Sequence, residues 1–220
     1  MALTRAFLGY LKVDASATTI DVTVNSTGYT HVAVFVKHET APTTITLSDN
    51  KGSPAFTQLT KVNHTNNDLS GQLQWVKIGT PGATHTITAT FGVSVPFRHI
   101  GVWGILADSG QIAMDVEAVA QASAATTHDA GTLTTTAATV SVMAVGPYNT
   151  VTYTPGAGWT EDVDDGLYGE SRADASAGTL DPVCTSSAAL STVLCSASFL
   201  EIGGGGGGSP IMGHMILVNA

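Results

Sequence analysis

His31-Val32-Ala33-Val34-Phe35-Val36 is an almost unbroken run of apolar residues, rich in the β-branched and aromatic types that strands favour. Its density reads as a central strand of a sandwich rather than an alternating, half-solvated one. On its N-terminal side, Thr19-Ile20-Asp21-Val22-Thr23-Val24 alternates polar and apolar, the period of two expected of a half-buried strand. On its C-terminal side, Thr44-Ile45-Thr46-Leu47 runs into the turn cluster Ser48-Asp49-Asn50-Lys51-Gly52. Leu73 to Ile78 alternates again and stops at Gly79-Thr80-Pro81-Gly82, and His85 to Phe91 follows with β-branched residues. Ile100-Gly101-Val102-Trp103-Gly104-Ile105-Leu106 is a further strand, whose glycines mark bulges or close backbone approach.

The second half repeats the style. Thr139 to Val145 alternates cleanly, and Leu167 to Ser171 and Thr192 to Leu200 are strands. Met114 to Ala125 is Ala-rich and is the one stretch with a helical composition, but it lacks a 3.6-residue stripe and reads as a helix or a loop. Short strands at even spacing predict an all-β fold, a two-sheet antiparallel β-sandwich of jelly-roll-like type, over residues 1–202. Residues 203–220 are expected to be a separate piece. Six consecutive glycines, Gly203, Gly204, Gly205, Gly206, Gly207 and Gly208, form a tether. The apolar stretch Ile211-Met212-Gly213-His214-Met215-Ile216-Leu217-Val218 follows it. A greasy tail on a flexible tether is a liability unless a sheet takes it up, so this tail is expected to act as a strand in assembly through Ile211, Met212, Met215, Ile216 and Val218.

Composition narrows the function. Charged residues make up 11% of the 220 positions, well below the roughly 25% usual for soluble domains. A surface so poor in ions has little to desolvate on association, which suits a protein packed permanently against neighbours. The formal net charge is −9 with eight basic residues dispersed along the chain, so counterion release has nothing to act through and nucleic acid is not an expected partner. No run reaches the roughly 18 apolar residues of a membrane helix, and no membrane is expected. Near the N-terminus, Ala6-Phe7-Leu8-Gly9-Tyr10-Leu11 faintly resembles a secretory signal, but Lys12 and Asp14 interrupt it, and it is read as a first strand.

The order of these pieces resembles a diffuse group of bacterial and bacteriophage β-sandwich proteins. The likeness is carried by the early Thr/Val strand and His31 to Val36, by Gly79 to Phe91 followed by Arg98-His99-Ile100-Gly101-Val102-Trp103, and by Tyr153-Thr154-Pro155-Gly156-Ala157-Gly158-Trp159-Thr160-Glu161 with Ala177-Gly178-Thr179 and a closing strand through Phe199. It covers about residues 18 to 200. The resemblance implies a jelly-roll-like or carbohydrate-binding-like sandwich with no catalytic motif, and, for stand-alone phage members, a virion surface component. The glycine run and tail depart from that pattern, which shifts the expectation towards an assembled particle.

The residues offer little chemistry of their own. The seven histidines show no H-E-x-x-H and no paired ligand spacing, so no metal is expected. Glu161, Asp162, Asp164, Asp165, Glu170, Asp174 and Asp181 form an acidic cluster that reads as a solvated loop rather than a calcium site, because the EF-hand spacing is missing. Cys184 and Cys195 fit no metal or redox motif; they pair across a hairpin or stay buried as free thiols. There is no G-x-S-x-G elbow, and the glycine run lacks the Lys and Ser/Thr of a phosphate loop. No catalytic residue and no cofactor are expected. Trp75 and Trp103 read as packing residues. Trp159, after a Pro-Gly loop, and Tyr168 are candidate platforms for a sugar ring.

The expected function is therefore a bacteriophage virion structural protein: capsid decoration, cement or surface fibre, made in the host cytoplasm. It would associate with other virion proteins and with itself, as a trimer, with host-surface glycans as a further partner. The alternative is a carbohydrate-binding module or adhesin at a cell or phage surface.

Overall fold

The structure, a computed structural model, describes residues 3–40, 43–64, 66 and 69–203. Apart from Gly203, the tail residues expected to drive assembly lie outside the described residues. The described chain is all β, in antiparallel sheets. Its first half contains β1 (Thr4–Val13), β2 (Ala17–Val24), β3 (His31–Glu39), β4 (Ile45–Asp49), β5 (Thr57–Gln58), β6 (Val62–His64), β7 (Leu69–Lys77), β8 (His85–Val95) and β9 (Arg98–Leu106). The second half contains β10 (Ile112–Asp129), β11 (Leu133–Thr135), β12 (Thr139–Pro147), β13 (Tyr153–Thr154), β14 (Thr160–Asp164), β15 (Tyr168–Asp174), β16 (Gly178–Leu180) and β17 (Val183–Glu201).

Four sheets form, where one pair was expected. In the first half an inner sheet runs β1-β9-β3-β7-β5, with β6 also on β7, and an outer sheet runs β2-β8-β4. In the second half the inner sheet runs β10-β17-β12-β15-β14, with β13 on β17, and the outer sheet is β11-β16. The second inner order is the first with each strand replaced by its counterpart in chain order: β10 for β1, β17 for β9, β12 for β3, β15 for β7 and β14 for β5. The pair β11-β16 likewise answers β2-β8. The chain thus builds the same inner sheet twice.

Packing explains the density of the opening stretch. Residues 32 to 36 are all fully buried. Because side chains alternate across a strand, Ala33 and Phe35 enter a core shared by the two inner sheets, while Val32, Val34 and Val36 enter the core between the first inner and first outer sheets. β12 does the same, sending Val140, Val142 and Ala144 into the shared core and Met143 and Val145 into the core under β11-β16. The layers are therefore outer, inner, inner, outer. A strand covered on both faces has no solvent side, so Val32 to Val36 is apolar throughout rather than alternating.

The halves meet crosswise. β1 lies against β15, where Arg5 donates to the Ser171 carbonyl. β10 lies against β6, where the His64 ring N–H reaches the Ala122 carbonyl at 3.1 Å and Thr60 donates to Glu117 at 2.7 Å. Between them Trp75 packs edge-on to Phe199 with ring centroids 5.8 Å apart, and Trp103, fully buried, donates its indole N–H to Asp162 at 2.8 Å.

One sequence expectation changes here. The Ala-rich segment is strand β10, paired with β17 from Ile112↔Glu201 to Asp129↔Val183. Its register shifts between Met114 and Val116 and again on both sides of Ala125, and Ala124 has φ +47°, so bulges absorb an irregular fit. Long-range pairing overrides the weak local preference of alanine. Of the two readings left open for the cysteines, the structure has the buried free thiols: Cys184 and Cys195 are free and buried and both sit on β17. Two cysteines on one strand cannot face each other across a hairpin, and they point into different cores.

Candidate functional site

The residues singled out for sugar binding are not on the surface. Tyr168 is fully buried and Trp159 is 6% exposed; both belong to the core beneath β11-β16. Tyr168 stacks on Tyr153 at 4.6 Å between centroids, and the Arg172 guanidinium covers the Trp159 ring at 5.8 Å. Aromatic rings bury more area than any other side chains, and here burial takes precedence over display.

The acidic cluster is likewise not a solvated loop. Its members lie mostly on β14 and β15 and are used as acceptors. Asp162 receives the Trp103 N–H, Asp164 receives the Tyr153 backbone N–H at 2.9 Å, Asp165 receives the Tyr10 hydroxyl, and Asp174 pairs with Arg172. Glu170 is fully buried and accepts from the Tyr168 hydroxyl at 2.8 Å and the Gly156 N–H at 3.0 Å. Burial pushes its carboxyl up to about 7. Among the described residues no three His, Cys, Asp or Glu side chains converge to hold a metal ion. Six histidines are buried; His128 engages Thr192 and Ser186 through its two ring nitrogens, whereas His38, His64, His85 and His99 each keep one ring nitrogen without a partner.

The structure instead brings together residues that sequence reasoning passed over. A cleft of about 160 Å³ opens at one end of the seam between the halves, lined by Lys12, Asp14, Lys37, Glu39, Phe97 and His99 from the first half and by Pro147 to Thr150 and Gly166 from the second. Each element has a local reason to be there. Lys37 and Glu39 end β3, pointing to one face because they are two residues apart, and their side chains pair at 2.9 Å. His99 is the second residue of β9. Phe97 occupies the two-residue corner, Pro96-Phe97, by which the chain passes from the outer-sheet strand β8 to the inner-sheet strand β9. That corner is tied down by Phe97 N–H to the Asp14 carbonyl at 3.2 Å and Glu39 N–H to the Pro96 carbonyl at 3.3 Å. Tyr148, just beyond β12, is fixed by its N–H to the Ser191 carbonyl at 3.0 Å. Gly166, at φ +70°, lets the second half close on the floor: a β-carbon there would meet His99 Cε1 at 2.9 Å.

Electrostatically the cleft is balanced. Two lysines face two carboxylates, and His99 is neutral, because burial, followed by the nearby Lys37 and Lys12 charges, pulls its pKa down to about 3. Burial also lowers Lys37, an effect opposed by Glu39. The His99 Nδ1 is buried without a hydrogen-bond partner. At the rim, Phe97 is 43% and Tyr148 42% exposed, the two exposed aromatic rings among the described residues. The only signal for this in the sequence is a large aromatic after Pro96, at a position whose φ of +46° ordinarily calls for glycine.

No family model, curated protein or solved structure matches this chain.

Proposed function

We propose that the protein is a non-catalytic structural component of a bacteriophage particle surface, a decoration, cement or fibre subunit that works by packing and strand addition with copies of itself and other virion proteins. The observation that carries this is β10. It has 18 residues, most of them half-exposed, and among the described residues it pairs only with β17. A long strand with one open edge is a template for another chain, and natural proteins seldom leave one uncovered. The described chain also ends beside it, with the Ile202 N–H on the Gln111 carbonyl at 3.2 Å. From there, six glycines reach up to about 20 Å, several times the ~4.8 Å between strands. Ile211 to Val218 would thus reach an open edge on the same or a neighbouring subunit and gain main-chain hydrogen bonds there. Low surface charge supports the same reading.

The test compares the full chain with one ending at Ile202, by light scattering coupled to size exclusion. The full chain is expected to form a closed oligomer, with a trimer the working stoichiometry, and the shortened chain a folded monomer. Identical masses for the two would refute strand addition, and absence of the protein from purified particles would refute the virion assignment. The rival reading, a carbohydrate-binding module or adhesin acting through Trp159 and Tyr168, lacks a solvent-facing ring at either position.

A further inference from the structure

We infer that the cleft at the seam of the two halves is a binding site for a single neutral sugar ring. The inference rests on the cleft alone and is independent of the assembly proposed above.

The lining selects the class of ligand by elimination. Lys12 and Lys37 against Asp14 and Glu39 leave no net charge, so neither an anion nor a metal cation gains from entering. An apolar ligand would strip water from Lys12 and Asp14 and offer them no partner, at a cost of about 1–3 kcal/mol for each group left unsatisfied. A polyhydroxylated ligand fits, because each hydroxyl both donates and accepts: it accepts from the Lys12 ammonium and donates to the Asp14 carboxylate, both on the cleft lining. The volume, about 160 Å³, lies below the ~300–1,000 Å³ of pockets that hold drug-sized ligands and suits one ring, such as the terminal residue of a glycan whose remainder stays in solvent.

The rim supplies the other half of sugar recognition. Phe97 and Tyr148 offer apolar ring faces, and both stand at this cleft. Phe97 is held there against its own backbone preference. A bulky residue in the left-handed region costs on the order of 1–3 kcal/mol and marks a site where strain persists for a purpose. Glycine would occupy the corner without strain, so the phenyl ring is present at the expense of stability.

That contrast gives the test. The full-length protein is applied to a printed glycan array, and the methyl glycoside of the best-bound terminal sugar is then titrated by ligand-observed NMR. The wild-type protein is expected to bind. Phe97→Gly is expected to melt at the same or a higher temperature and to bind at least ten-fold more weakly; Tyr148→Ala, at an exposed position, is expected to weaken binding similarly while leaving the melt unchanged. A wild-type protein that binds no glycan overturns the inference. So does binding that survives both substitutions, or binding confined to sulfated and sialylated glycans and abolished by salt. The oligomeric state recorded for each variant keeps this result separate from that of strand addition.

Discussion

Gly169 and Trp103 come from different halves of the chain, and the indole lies so close to the Gly169 backbone that a β-carbon added there would sit 2.4 Å from Cζ2. Trp103 cannot retreat, because it is fully buried, packed against Phe7 at 5.3 Å and held by Asp162. Gly169→Ala is therefore predicted to destabilise the protein by about 1–3 kcal/mol, read from the urea midpoint. Trp103→Phe removes the crowding ring and should make the two changes less than additive, with a coupling of about 0.5–3 kcal/mol. Strict additivity would mean that the two positions do not press on each other.

Acid should unfold the protein early. Burial pulls His31 and His38 down to about 4 and His99 to about 3, and lowers His85 and His128 as well. An unfolded histidine titrates near 6.5. Between that pH and the folded values, the unfolded state holds more protons, so stability falls as pH falls. Each such histidine adds a slope of up to ~1.4 kcal/mol per pH unit. Urea midpoints are predicted to drop steeply from pH 6.5 to pH 4 while changing little from pH 8 to pH 7; a flat profile below pH 6 would contradict the burial of these rings.

Glu170 acts in the opposite direction. Its raised pKa means the folded state keeps the proton longer than the unfolded state, so this carboxyl contributes stability at low pH that is lost as pH rises through about 7. Glu170→Gln keeps an acceptor for the Tyr168 hydroxyl and the Gly156 N–H without a charge to bury. The variant is expected to be more stable than wild type by about 1–3 kcal/mol at pH 8, with the advantage shrinking towards pH 5. A variant less stable at pH 8 would show that the ionised carboxylate is held favourably.

The thiols should be silent. Cys184 and Cys195 point into different cores, and burial pushes Cys195 up to about 12 and Cys184 higher still. Reductant is predicted to leave the melting temperature unchanged, and a thiol reagent such as dithionitrobenzoate to label neither cysteine until the protein is denatured. Rapid labelling in native conditions would show that one of these cores opens.

Most strands were legible because their periodicity is local: Thr19 to Val24 and Thr139 to Val145 fall within β2 and β12. What was not legible was how many layers they build. Val32 to Val36 reads as one buried strand whether one core or two adjoin it; only the pairing of distant strands shows that Phe35 and Val34 serve different cores. β10 escaped because its strand character comes from β17, about seventy residues away in the chain. For the site, Trp159 and Tyr168 drew attention as aromatics, yet residue type does not say which face of a sheet a ring lands on. Phe97 drew none, although its place after a proline is the one local sign that a ring is displayed at a turn.

The crosswise meeting of two like-ordered inner sheets has one more consequence. Residues on β3 and β12 that face the seam would be bare hydrocarbon on a half expressed alone, so neither half is equipped to live by itself. The arrangement is that of a twofold dimer whose subunits have been joined end to end, in which the partner is always present at fixed local concentration and dilution cannot dissociate it.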